Sequence, residues 1–142
     1  MDGSRHEPAL LPTEVELRFH PEPDYLAVPH VVAASIAFSE HFDIEATNEF
    51  RGAVETVCAT LLDRAEQKAP LVCRYRVGKD GIRFGAFVPT RTAVAPDPRS
   101  PAWQVITAMV DIACCWLDPI DPGGGKHMLR IELYKRRRVV ER

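Results

Sequence analysis

The strongest constraint on the fold is a segment in which apolar residues recur at steps of three and four. These residues are Phe50, Val54, Val57, Cys58, Leu61 and Leu62. The spacing places them on one face of an α-helix that packs against a core. Asp43 is a suitable N-cap, and Ala69-Pro70 cannot continue the helix. The segment therefore predicts a core-facing helix from about Ile44 to about Lys68.

A β-hairpin is predicted after this helix. The runs LVCRYRV and IRFGAFV alternate in character, and GKDG (Gly78 to Gly81) between them is a typical hairpin turn. Alternation puts Arg74 and Arg76 on one face of the first strand. The opposite, apolar face is lined by Leu71, Cys73, Tyr75 and Val77.

The chain before the long helix predicts a strand and a first helix. VELRF (Val15 to Phe19) alternates and predicts the strand. Asp24 is a suitable N-cap for the segment DYLAVPHVVAASIAFSEHF, but Pro29 complicates the first turn. Either that turn is distorted or the regular helix begins with Pro29 near N1. Its apolar stripe is formed by Val32, Ile36 and Phe42.

The last third of the chain predicts a loop, a helix and a second hairpin. The stretch from Pro89 to Pro101 carries four prolines and must be a loop. Ser100 then caps a third helix with Pro101 at N1. The inward residues of that helix are Trp103, Ile106, Met109 and Val110. The runs IACCWL and MLRIELY close the chain as a hairpin whose buried face is formed by Leu129, Ile131 and Leu133.

This element order, β-α-α-β-β-loop-α-β-β, predicts an α+β sandwich. An antiparallel or mixed sheet would have the helices packed on one face. With 142 residues, 46% of them hydrophobic, the chain can bury one core. We expect a flexible arm over 1–13, a single domain over 14–136 and a basic tail over 137–142.

Composition excludes several classes of function. A net charge of −2 gives no bulk attraction to nucleic acid, and no apolar run is long enough to span a membrane. The first residues do not have the pattern of a secretory signal. The four cysteines (Cys58, Cys73, Cys114 and Cys115) lie in apolar runs without C-x-x-C spacing, and the five histidines are scattered. We therefore expect a cytoplasmic protein with reduced thiols and no metal site.

The element order and the phrase AVETVCATLL (Ala53 to Leu62) resemble the GHKL ATPase/kinase fold. The nearest resemblance is to anti-sigma factors of the RsbW and SpoIIAB type, especially the actinobacterial UsfX-like branch. That family reads roughly A-V-x-E-A-C-x-N-A-I on its second helix. The closing segment GGGKHMLRIELYK also matches the family's last hairpin. The resemblance extends over nearly the whole chain, from about Glu14 to Arg136.

The resemblance implies a nucleotide site, but this chain departs from it at the positions that carry the chemistry. The family's general-base Glu falls on Thr56 and its magnesium-binding Asn falls on Thr60. Its G-x-G-L-x-L-I segment becomes SPAWQVI, so Ser100 and Ala102 replace phosphate-loop glycines. No Asp follows the first hairpin where the family's D-x-G-x-G would read adenine. We expect no catalytic residue and no bound cofactor, although ATP with magnesium is what the family would bind.

By resemblance, the chain is expected to be an anti-sigma factor. Such a protein binds an alternative sigma factor and releases it when an anti-anti-sigma partner with a STAS domain binds. Family members commonly dimerise. The exposed end of the first helix and the nearby loop are the expected sigma contact, with Glu45, Glu49 and Arg51 on its rim. The alternative is a serine protein kinase that phosphorylates the STAS partner.

Three further features leave alternatives open. GGGK (Gly123 to Lys126) is a flexible hairpin turn or an anion-binding loop, although no helix follows it as in a P-loop. Glu55 could serve as a base, but it lies about 100° around the helix from Thr56. KRRR (Lys135 to Arg138) is a solvated tail or an interaction arm.

Overall fold

The computed structural model describes residues 13–66, 68–121 and 123–138, which form a five-stranded sheet and three α-helices. The strands are β1 (Thr13–Phe19), β2 (Leu71–Val77), β3 (Gly81–Thr90), β4 (Ile112–Pro119) and β5 (His127–Arg136). The helices are α1 (Ala27–Ser39), α2 (Ile44–Arg64) and α3 (Pro101–Met109). The predicted α+β class and element order are confirmed. Among the described residues, no helix has the length and apolar character needed to cross a membrane.

The sheet has the order β1-β2-β3-β5-β4, and every neighbouring pair is antiparallel. The hairpin predicted at Gly78 to Gly81 is present, and the Gly78 amide donates to the Gly81 carbonyl at 2.9 Å. β3 is the central strand, with Tyr75 of β2 opposite Phe84 and Leu133 of β5 on its other side. The last hairpin folds back so that β5 pairs with β3 and β4 forms the outer edge.

The core lies between the three helices and one face of the sheet. Alternate residues on β2, β3 and β5 are fully buried there, as predicted for Leu129, Ile131 and Leu133. The residues of α2 that are buried in this core are Phe50, Val54, Val57, Cys58 and Leu61, whereas Leu62 is half-buried. α3 contributes buried Ile106, with Trp103, Met109 and Val110 packed against the core. The Tyr75 hydroxyl donates to the Pro29 carbonyl at 2.6 Å and joins α1 to the sheet.

The prediction that Asp24 caps the first helix is wrong. Asp24 lies in a short 3-10 turn, Pro23–Tyr25, and α1 begins at Ala27 without a side-chain cap. Pro29 is therefore the third residue of α1, not the first. That position tolerates proline because the first four amide groups of a helix have no acceptor within it.

Phe42 is buried as predicted, but not as part of the helix. α1 ends at Ser39, and His41 adopts a positive φ of 67°. The Phe42 amide then donates to Ala37 and the His41 amide to Phe38, a pattern that closes many helices. This turn carries the Phe42 ring back under α1 and into the core.

α2 begins as predicted, where the Asp43 side chain accepts from the Ala46 amide at 2.7 Å. It ends at Arg64, earlier than the predicted Lys68. Ala65 is extended, and the Glu66 amide donates to the Pro89 carbonyl at the end of β3. A tertiary hydrogen bond therefore ends the helix before the Ala69-Pro70 stop is reached.

Loop and tail boundaries also shift. Pro89 and Thr90 belong to β3, so the proline-rich loop starts at residue 91. The sequence GGGK forms the turn between β4 and β5, with positive φ at Gly123 and Gly125, which supports the hairpin interpretation.

The interpretation of KRRR as a solvated tail is wrong for its first residue. Lys135 lies in β5 and is 5% exposed. Thr13, assigned to the flexible arm, is the first residue of β1, and residues 1–12 and 139–142 lie outside the described ranges.

Candidate partner-binding surface

The outward face of α1 is exposed and uncharged, and its apolar residues are interrupted by Ser35 and Ser39. α1 contains no Asp, Glu, Lys or Arg, and only part of its circumference packs on the domain. Ala33 and Ala37 are buried, whereas Val28, Val31 and Phe38 point outward. Phe38 is 74% exposed. Val31 and Phe38 are two helical turns apart, about 10 Å along the axis, so they share one face.

The apolar series continues past the turn into α2. Ile44, the first residue of α2, is 79% exposed, and Tyr25 is exposed at the other end of α1. We call Tyr25, Val28, Val31, Phe38 and Ile44 the α1 surface. Single exposed apolar residues are common, whereas several along one helix can form the kind of apolar patch that binds partners. The α1 surface is therefore the candidate partner-binding site.

The predicted acidic rim lies at this end of α2, next to the C-terminal basic run. Glu49 accepts from Lys135 at 2.7 Å and lies 3.3 Å from the Arg138 guanidinium. Glu45 is exposed and 3.7 Å from Arg138. Arg51 is exposed on α2. Glu49 is thus bound within the chain, while Glu45 and Arg51 stay accessible to a partner.

Arg137 binds the α1–α2 turn to the β2–β3 hairpin. Its guanidinium pairs with Glu40 at 3.0 Å, donates to the Lys79 carbonyl at 3.3 Å and lies 5.5 Å from the centre of the Phe42 ring. The C-terminal basic run thus contacts the base of the α1 surface. Residues 137 and 138 are not a free tail.

The two threonines at the family's nucleotide positions form hydrogen bonds within α2. The Thr56 hydroxyl donates to the Gly52 carbonyl at 2.9 Å, and the Thr60 hydroxyl donates to the Thr56 carbonyl at 2.8 Å. Both side chains are half-buried and one helical turn apart. Neither hydroxyl hydrogen remains for a ligand. Glu55, the other candidate base, is exposed on a different side of α2.

The other two nucleotide positions lie at the start of α3. Ser100 caps α3 as predicted, because its hydroxyl accepts from the Trp103 amide at 3.2 Å. Ala102 is half-buried in the first turn of the helix. At the other end of α3, a Cβ placed on Gly52 would lie 3.0 Å from the Met109 sulfur, so α2 and α3 pack closely there. The four positions offer three hydroxyl groups and a methyl group where the family has a carboxylate, an amide and glycines.

A comparison with models of known protein families and one with curated proteins each found no match to this chain.

The sequence led us to expect the sigma contact at the exposed ends of the first helix and the nearby loop, but it did not point to the apolar residues of the α1 surface. The stripe Val32, Ile36 and Phe42 faces inward, and the outward Val28, Val31 and Phe38 were not predicted. The signal that could have found them is that α1 contains no charged residue and that only His30, Ser35 and Ser39 interrupt its apolar residues. A surface helix normally has a charged or polar face, so a helix without charge can offer a second apolar side to a partner.

Proposed function

We propose that this chain is a cytoplasmic anti-sigma factor that binds an alternative sigma factor and keeps it from RNA polymerase. The observation that carries the proposal is the uncharged α1, whose outward face stays exposed beside a complete core. The α+β fold and the family-like phrase Ala53 to Leu62 are consistent with it. Release would follow when a STAS-domain partner binds the same or an overlapping surface, and the working unit would be a homodimer.

The α1 surface suits a helical partner segment. A helix laid against Val31 and Phe38 would bury the apolar side chains, while Glu45 and Arg51 on α2 would contact polar groups at the edge. Phe38, the most exposed aromatic residue of the surface, would supply a large part of the binding energy, as buried aromatic anchors commonly do.

The proposal is tested by capture of purified alternative sigma factors from the source organism on the immobilised full-length chain. We expect one of them to bind, and Phe38→Glu to weaken that binding at least about tenfold, because burying an unpaired carboxylate opposes association. Val94→Glu is the matched control, since Val94 is also an exposed apolar residue but lies in the loop before α3. Capture of no sigma factor contradicts the proposal. Equal binding by both variants contradicts the assignment of the surface.

The alternative function, a serine kinase acting on the STAS partner, requires bound ATP. Phosphoryl transfer needs a metal, a phosphate cradle and a base held together, and the matching positions here are used in local hydrogen bonds. We expect no heat on titration with millimolar ATP and magnesium, and no labelled phosphate on a STAS protein. Transfer of label would favour the kinase instead.

A further inference from the structure

The open face of the sheet contains a hollow whose floor is Gly85. On β3, Gly85 lies between Arg74 of β2 and Glu132 of β5. Phe87 and Arg83, two residues away along β3, project from the same face. Because glycine has no side chain, these neighbours enclose a cavity of about 160 Å³.

Guanidinium groups outnumber carboxylates in the lining of this hollow. Its lining includes four guanidinium groups, from Arg74, Arg76, Arg83 and Arg130, against two carboxylates, from Glu14 and Glu132. The sheet register brings these arginines together from three strands, although they are far apart in sequence. Three of these guanidinium groups already have carboxylate partners on neighbouring strands, which leaves Arg83 to attract an external anion.

Aromatic rings hold three of the guanidinium groups in position. Arg130 lies 4.6 Å and Arg74 5.2 Å from the centre of the Phe87 ring, and Arg83 lies 5.6 Å from the centre of Tyr134. Stacking of this kind orders long side chains before any ligand arrives. A ligand then binds with a smaller loss of conformational entropy.

One arginine has no acidic partner. The other three are paired: Arg74 with Glu16 at 2.8 Å, Arg76 with Glu14 at 3.6 Å and Arg130 with Asp118 at 3.0 Å. Within residues 13–66, 68–121 and 123–138, Arg83 makes no ion pair. A guanidinium carries five N–H donors, so Arg83 can bind an external carboxylate through two parallel hydrogen bonds.

We propose that this hollow binds the carboxylate side chains of an acidic protein segment. Bases of a nucleic acid would find Phe87 and Tyr134 already covered by guanidinium groups, and Glu14 and Glu132 would repel a continuous phosphate backbone. The same glutamates repel carboxylates, but a segment with a few spaced carboxylates brings less charge past them than a phosphate backbone and needs no uncovered aromatic ring. The site lies on the face of the sheet opposite the helices, so it does not depend on the function proposed above.

The test uses the full chain and a fluorescein-labelled peptide of alternating Glu and Gly, with binding followed by fluorescence polarisation at low ionic strength. In an extended peptide, alternate side chains point to the same side, so the carboxylates can enter the hollow together. The matching Gln and Gly peptide measures binding that does not need charge. A single-stranded oligonucleotide of equal charge measures binding to nucleic acid.

Two variants locate the site. We expect Arg83→Gln to weaken binding of the Glu peptide about tenfold, the effect of losing a hydrogen bond to a charged group. Gly85→Thr fills the hollow without changing charge and should weaken binding similarly. A Cβ there meets Glu132 at 3.5 Å, an ordinary contact. Arg18→Gln is the control. Arg18 lies on β1, on the same open face of the sheet as Arg83, and its substitution removes the same charge outside the hollow.

Circular dichroism confirms that each variant is folded before binding is compared. Selective binding of the Glu peptide, weakened by Arg83→Gln but not by Arg18→Gln, supports the proposal. It is overturned if the Glu peptide does not bind, if the Gln peptide binds equally well, or if Arg83→Gln and Arg18→Gln have the same effect. Tighter binding of the oligonucleotide would also overturn it.

Discussion

The two faces of the sheet use the same strands for different purposes. On the face under the helices, β3 presents Phe84, which is fully buried in the core. On the open face, three residues along the same strand, it presents Phe87 beneath Arg74 and Arg130. Both are phenylalanines on one strand, yet one packs against apolar side chains and the other against guanidinium groups. The difference indicates that burial, and not residue type, sets how much each side chain contributes to stability.

The sharpest test of this difference compares Phe84→Ala with Phe87→Ala. We expect Phe84→Ala to lower the free energy of unfolding by about 3–5 kcal/mol, because it removes a buried ring and leaves a cavity. Phe87→Ala should cost only about 1–2 kcal/mol, since its ring is half-buried under arginine side chains. Urea denaturation of the two variants measures both values. Equal losses would mean that the open face is also covered in solution.

The ion pair on the helix side of the sheet should contribute more to stability than the ion pair on the open face. Lys135 is buried on the helix side and bonded to Glu49, whereas Arg74 on the open face pairs with exposed Glu16. Glu49→Gln removes the negative charge that pairs with the buried Lys135 ammonium group, so it should lower the free energy of unfolding by about 2 kcal/mol. Glu16→Gln should cost less, because water screens the pair. Thermal unfolding at low and high salt compares them, and a larger loss for Glu16→Gln would contradict the contrast.

The adjacent thiols of β4 lie on opposite faces of the sheet, so they allow the two faces to be compared through the pH dependence of stability. Burial raises the pKa of Cys115, which packs against the core, from 9.0 to about 11. Cys114 is exposed on the other face. The unfolded chain therefore loses the Cys115 proton near pH 9 while the folded chain retains it to about 11, so stability falls as pH rises through this window. The buried Cys73 adds to the fall, since its hydrogen-bonding contact with Cys58 and its burial raise its pKa.

Denaturation at pH 8 and pH 10.5 measures this effect. We expect Cys115→Ala to reduce the loss of stability between these pH values by about 1 kcal/mol, allowing for solvent around a half-buried thiol. Cys114→Ala, at the exposed neighbouring thiol, is the matched control and should change the pH dependence less than Cys115→Ala does. An equal effect of the two substitutions would show that Cys115 is not shielded by the core.

The smallest effect is expected at a half-buried position of α2. Thr60→Ala removes a hydroxyl that bonds only to the helix backbone and adds helix propensity, so the free energy of unfolding should change by no more than about 0.5 kcal/mol. Unchanged binding of the captured sigma factor should accompany it. Loss of a nucleotide-dependent activity in this variant would contradict the assignment of Thr60 to the helix alone.

Much of the fold followed from local patterns. The period of α2, the Gly78 to Gly81 turn and the Ser100 cap each depend on a few neighbouring residues, and each is confirmed. Predictions failed where distant groups decided the outcome. α2 ends at Arg64 because the Glu66 amide donates to the Pro89 carbonyl of β3. At the start of α1, the segment between Pro21 and Pro29 is compatible with more than one first residue of the helix. For the candidate surface, the sequence indicated the ends of the first helix and the nearby loop but not the exposed apolar residues of α1.

The sequence by itself determined the order of the elements and the buried side of each amphipathic one, because periodicity and turn chemistry act over a few residues. Only the tertiary structure decided which side of the uncharged α1 stays open, that Lys135 is buried against Glu49, and that arginines from three strands surround Gly85. These outcomes depend on sheet register and helix packing, which join residues far apart in the chain. Local sequence patterns do not specify contacts between residues that far apart.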